Sequence, residues 1–254
     1  MNDVAERTFE LEGTPFVAHT QHAGTGPDLV VLPGALHGPW GDFHSELAAD
    51  FTVYRFSHPA WDLLEDLDQF DNIWDLVLYY LTMIEALGLT EPTIVGHGFG
   101  GMVAAEIVAA DSRIASRIVL IAPFGLWRDD RPVVDLWGLS PRDRDAVLWE
   151  APPDRSDEPY DQDGLLAAFL TETSATHFIW PIPDLNLARR LYRVKTPTTV
   201  IWGSGDQVIS ADYLELFQSY IPHAETVLIE NGSHLVHVER PAEVASVIKQ
   251  AADS

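Results

Sequence analysis

Residues 94–103 read Ile94-Val95-Gly96-His97-Gly98-Phe99-Gly100-Gly101-Met102-Val103. An apolar strand runs into a glycine-rich turn, and a helix of small residues follows. This is the setting in which a Gly-x-Ser-x-Gly turn lifts an attacking serine to the top of a sheet. Here the central position is Gly98, which has no side chain and cannot attack. A residue at such a turn sits in an unfavourable backbone conformation, so glycine there relieves strain of about 1–3 kcal/mol. Residues 94–103 thus specify a strand–turn–helix unit without its nucleophile.

The rest of the chain alternates strands and helices. Two short strands are expected across Thr8 to Thr20, around the turn Glu12-Gly13-Thr14-Pro15. Asp28 to Leu32, Phe51 to Phe56, Thr93 to Val95, Arg117 to Ala122, Thr198 to Trp202 and Thr226 to Ile229 read as further strands. Ile73 to Leu87 carries Ile73, Leu76, Val77, Tyr80, Leu81, Ile84 and Leu87 at helical spacing, and Gly88 ends it. Helices are also expected over Gly101 to Ala110, Ala211 to Tyr220 and Pro241 to Ala252. That order implies a mostly parallel sheet covered on both faces. Ser57 to Asn72 reads as an acidic loop. From Pro123 to Leu191 the rhythm breaks: residues 128–163 hold 11 acidic and 5 basic residues, and helical pieces such as Gly164 to Leu170 are short. This stretch reads as an insertion packed over the strand ends.

A length of 254 residues fits one large domain or two small ones, and 46% hydrophobic residues supply a core. The net charge of -24 argues against nucleic acid and anionic membrane as partners, because both carry the same sign, and neither is expected. With no cysteine there is no disulfide, thiolate nucleophile or zinc-thiolate site, which suits a reducing cytoplasm. The polar, acidic start is unlike a signal peptide, and no apolar run reaches the ~18 residues of a membrane span. A cytoplasmic location is expected.

Loops that follow strands are where ligands gather in parallel sheets. Beside the Gly98 turn these are Pro33-Gly34-Ala35-Leu36-His37-Gly38, Trp202-Gly203-Ser204-Gly205-Asp206 and Asn231-Gly232-Ser233-His234. Asp206 alone could be a turn aspartate and His234 a surface histidine. A Gly-Ser-His loop downstream of a Gly-Asp loop favours a base oriented by an acid. His37, His97 and His237 lie near these loops without metal-ligand spacing, so no metal or cofactor is expected. His97 is read as structural, and His37 as lining a pocket.

These motifs, in this order, resemble the α/β-hydrolase superfamily, most of all its bacterial esterase and carbon–carbon hydrolase branches with a helical cap. The resemblance runs from about residue 8 to 250 through Gly96-His97-Gly98-Phe99-Gly100-Gly101, Val200-Ile201-Trp202-Gly203-Ser204-Gly205-Asp206 and Gly232-Ser233-His234-Leu235-Val236-His237-Val238-Glu239-Arg240-Pro241. It implies an α/β fold with a mostly parallel eight-stranded sheet flanked by helices. The core would span 1–122 and 192–254, with the helical cap at 123–191. It also implies a triad-type site: Gly98 at the nucleophile position, His234 as base, Asp206 as its orienting acid. The backbone N–H groups of Ala35 and Phe99 would form the oxyanion hole. Pro33 stands where many members have histidine. In the cap, Phe124, Trp127, Phe178 and Trp180 are candidates to face an apolar pocket, beside His37.

The resemblance implies hydrolysis of a small apolar ester, lactone or related acyl substrate by a form inactivated at Gly98. A second reading is a natural serine-independent enzyme using His234 and Asp206 as general base, of lyase, decarboxylase or cofactor-free oxygenase type. A third is a non-catalytic ligand-binding protein.

Overall fold

The computed structural model describes residues 3–36, 38–59, 64–154, 161–180, 182 and 185–253. The strands are β1 (Ala5–Glu10), β2 (Val17–Ala23), β3 (Asp28–Leu32), β4 (Thr52–Phe56), β5 (Thr93–His97), β6 (Arg117–Ile121), β7 (Thr198–Gly203) and β8 (Glu225–Ile229). They form one sheet in the order β1-β2-β4-β3-β5-β6-β7-β8. β2 pairs antiparallel with β1 and β4, and the remaining pairs are parallel. The central strands are buried on both faces. Leu29 to Leu32 in β3 and all five residues of β5 are buried, which is why they read as continuous apolar runs rather than alternating ones.

The helices are α1 (Asp42–Leu47), α2 (Ile73–Ala86), α3 (Phe99–Ala110), α4 (Pro141–Leu148), α5 (Gln162–Ile179), α6 (Tyr213–Tyr220), α7 (Val236–Glu239) and α8 (Pro241–Ala252). One apolar cluster joins α2, α3 and the insertion between β6 and β7; the other lies on the opposite face with α1 and α8. Asn72 caps α2: its side chain accepts from the Trp74 N–H at 2.8 Å, and Asp75 accepts from the Asn72 N–H at 3.1 Å. No helix among the described residues is long and apolar enough to cross a membrane.

α3 crosses β5 almost in contact. A Cβ on Gly96 would lie 2.3 Å from the backbone of Gly100, and one on Gly101 would lie 2.9 Å from the Gly96 carbonyl oxygen. The glycines let the strand turn directly into the helix. Glu106, buried inside α3, is gripped by Arg190 through a 2.6 Å bond from Nε. Burial pushes the Glu106 carboxyl up and Arg190 pulls it back. That pair pins the end of the insertion to the core.

Two expectations need correction, and one helix was not anticipated. α3 begins at Phe99 rather than Gly101, because the turn is a single residue wide. α1 carried no periodic signal, being only six residues long. The expected short piece at Gly164 to Leu170 is part of an 18-residue helix. Thr171, Thr173, Ser174 and Thr176 are indifferent helix formers, and burial of Thr171, Ser174, Ala175 and Ile179 sustains the helix beyond Leu170.

Candidate active site

Gly98 forms the junction between β5 and α3 with φ +55° and ψ −113°, a backbone state that glycine enters freely and other residues do not. Its N–H donates to the Ile121 carbonyl at 2.9 Å, and its carbonyl accepts from Phe124 at 3.0 Å and Met102 at 3.1 Å. The turn is thus held on three sides. A Cβ placed on Gly98 would stand 3.8 Å from His234 Nε2 and 3.3 Å from the edge of the Phe124 ring.

His234 and Asp206, 28 residues apart, meet inside the protein. His234 Nδ1 lies 2.9 Å from Asp206 Oδ2, and both side chains are essentially sealed from solvent. Asp206 is the better secured partner. Oδ1 accepts from the Val208 N–H at 2.8 Å and the Ile209 N–H at 3.0 Å, and Oδ2 also accepts from Trp202 Nε1 at 3.1 Å. With Nδ1–H given to a carboxylate, His234 presents a lone pair at Nε2, facing Gly98.

The loop after β3 packs against this turn. A Cβ on Gly34 would lie 3.0 Å from the His97 carbonyl oxygen, and one on Gly100 would lie 2.8 Å from the Pro33 carbonyl oxygen. Ala35 is buried in that loop, while Phe99 supplies the first N–H of α3, one of the four that lack an acceptor within their own helix. A cavity of about 820 Å³ opens between this loop and the insertion, lined by Ala35, Leu36, Leu148, Trp149, Leu165 and Leu235 among others.

Of the aromatic candidates, Phe124 and Phe178 join the group. The Phe124 and His234 rings are 6.0 Å apart, and Phe178 stacks on Phe99 at 6.2 Å. Trp127 is half-buried and donates to Asp129 at 2.9 Å. Trp180 stands 51% exposed, edge-on to Trp137, on the outside of the insertion. His37 lies outside the described residues. No cluster of three or more metal-ligating side chains occurs among the described residues.

Sequence reasoning missed His58. It follows the end of β4, buried, and its Nε2 bonds to the Gly34 carbonyl at 3.2 Å while its ring stacks on Phe99 at 5.7 Å. It thereby braces the loop that carries Ala35. Its position just past a strand's carboxyl end was the available signal. His97, read as structural, donates from Nε2 to the His234 carbonyl at 2.9 Å.

The histidine loop is also tied to the insertion. Glu239 accepts from the Ser233 N–H at 2.8 Å with one oxygen and from the Glu150 N–H at 2.7 Å with the other. Leu235 donates to the Leu148 carbonyl at 3.3 Å, and Arg240 pairs with Glu150 at 2.9 Å.

Four imidazoles around the site are held neutral, chiefly by burial. His44 and His237 are pushed down to about 3, His58 to about 4, and His97 well below its ordinary value. In the unfolded chain each returns to near 6.5. Between about pH 4 and 6.5 the unfolded state therefore binds more protons, and acid favours unfolding. The stabilisation is whole above about pH 6.5 and is lost as pH falls, at roughly 2 kcal/mol per imidazole by pH 5. Unfolding free energies from denaturant titrations at pH 7.5 and pH 5 should differ by several kcal/mol. Equal values would mean that these rings are charged in the folded protein.

The model for the Alpha/beta hydrolase family matches residues 29–247. The putative carbamate hydrolase RutD of Pseudomonas savastanoi pv. phaseolicola (strain 1448A / Race 6) is 26% identical over 246 residues, covering 87% of this chain and 91% of that protein. Among solved structures, a membrane phospholipase A described as a bacterial virulence factor superposes with TM-score 0.76 at 17% identity, over 98% of this chain and 86% of its own. The 2-hydroxy-6-oxo-6-phenylhexa-2,4-dienoate hydrolase from Rhodococcus sp. strain RHA1 does so with TM-score 0.73 at 16% identity, over the whole of both chains. At these identities the structural likeness concerns the fold.

Proposed function

This chain belongs to the alpha/beta hydrolase family, and from that premise we propose that it hydrolyses a small, largely apolar acyl compound with His234 as base and no covalent intermediate. The observation that carries this reading is the direction of His234. Its Nε2 faces the Gly98 turn with 3.8 Å to the place of a Cβ, while Asp206 holds its other nitrogen. In a site of this kind Nε2 takes a proton from a water beside Gly98, and the resulting hydroxide attacks the substrate carbonyl. Charge developing on the carbonyl oxygen is met by the N–H groups of Phe99 and Ala35, which need no serine side chain. The imidazolium then returns the proton to the leaving group, and Asp206 stabilises its charge in between.

Hydrolysis is the chemistry named for the relative RutD and the Rhodococcus enzyme, and an ester or lactone suits the apolar side of the cavity. A lack of cysteine suits a reducing compartment. The experiment is p-nitrophenyl butyrate hydrolysis by the unmodified chain under stopped flow. We expect slow turnover above buffer, no burst of p-nitrophenol and no adduct with diisopropyl fluorophosphate. Turnover no faster than buffer would overturn the reading.

A further inference from the structure

The inward face of α5 bears on which compounds the proposed hydrolase accepts, so a subsite there rests on that reading of the reaction. α5 buries Thr171, Ser174, Ala175 and Ile179. Thr171, 4% exposed, lines the 820 Å³ cavity, and its hydroxyl has no partner among the described residues. One turn on, Ser174 is 0% exposed and its Oγ also lacks a partner. Ser174 lies behind the cavity wall, whereas the Thr171 side chain is part of that wall and offers its hydroxyl to a ligand there.

The charges around the cavity narrow the ligand. Arg144 is the basic residue of the lining, and both of its terminal nitrogens grip the Glu172 carboxylate, with 2.9 Å from Nη1 to Oε2. Its positive charge is therefore already matched. Asp145 and Asp161 also line the cavity, and Asp161 accepts from the Gly164 N–H at 3.0 Å as the cap of α5. A carboxylate entering here meets a matched guanidinium, two further acidic residues and a chain of net charge -24. Leu36, Leu139, Leu148, Trp149 and Leu165 offer apolar wall to the rest of the molecule.

We infer that the α5 face around Thr171 is a binding subsite for an uncharged hydrogen-bonding group, an amide or alcohol, carried on an apolar body. The Thr171 hydroxyl acts as donor or acceptor as the group requires. Substrates that differ only in bearing a carboxylate at this end are excluded by charge.

The test is NMR-detected titration of the unmodified chain with hexanamide and hexanoate, and of Thr171→Val with hexanamide and toluene. Hexanamide should bind more tightly than hexanoate. Thr171→Val, which keeps the side-chain shape, should weaken hexanamide about five-fold and leave toluene unchanged. Thr171→Ser keeps the hydroxyl and should keep the amide affinity, which also covers a valine variant that fails to fold. Hexanoate binding as tightly as hexanamide overturns the inference, as does an amide affinity that ignores loss of the Thr171 hydroxyl. These readouts need no turnover. The binding pattern without ester hydrolysis would count against the proposed reaction alone, and hydrolysis without the pattern would count against the subsite alone.

Discussion

Gly98→Ser is expected to give a chain that forms a covalent adduct with diisopropyl fluorophosphate, one per molecule, readable by intact mass. A serine Cβ at this position would stand 3.8 Å from His234 Nε2, which brings its hydroxyl within hydrogen-bond reach of the base. The base is already oriented by Asp206. Activity on p-nitrophenyl butyrate should rise on the order of 10³-fold in kcat/KM, because the missing member is supplied to an otherwise assembled site. The gain carries two costs. The Phe124 ring, 3.3 Å from the new Cβ, must shift by a few tenths of an ångström. Serine must also adopt a φ of +55°, which costs about 1–3 kcal/mol and should lower the denaturant midpoint accordingly. A folded variant with neither adduct nor new ester turnover would show that His234 is not poised over Gly98.

Asp206→Asn should abolish catalysis with far less change in shape. The carboxylate accepts four hydrogen bonds, from Val208, Ile209, Trp202 and His234. An amide in its place has one oxygen, so its NH₂ must face either the two backbone donors or the Trp202 and His234 donors. If it faces His234, the ring is driven to the tautomer with its proton on Nε2, and the lone pair aimed at Gly98 disappears. We expect a loss on the order of 10⁴ in kcat, measured in the Gly98→Ser background where the signal is large. The donor facing donors should also cost about 1–3 kcal/mol of stability. A kcat within ten-fold of the Gly98→Ser parent would remove Asp206 from the machinery.

The fold was legible where apolar runs and glycine turns repeat. β3, β5, β6 and β7 are buried on both faces, so each reads as a short unbroken apolar block. The loops that bring Asp206 to His234 were legible because each follows a strand, β7 and β8. What was not legible depends on contacts between distant segments. α5 runs past Leu170 only because its Thr and Ser residues are buried against the core. His58 braces Gly34 from 24 residues away, and beyond its place just after β4 nothing local announces that contact. Trp180 was grouped with the pocket residues because aromatic identity was the available cue, whereas its outward position is set by where α5 ends.

The bonds between the histidine loop and the insertion have a consequence for motion. Leu148 and Glu150, which flank Trp149 in the cavity wall, are held by Leu235, Glu239 and Arg240. Displacing residues 148–150 would break these bonds and loosen the loop that carries His234, so the cavity wall and the position of that imidazole are mechanically coupled.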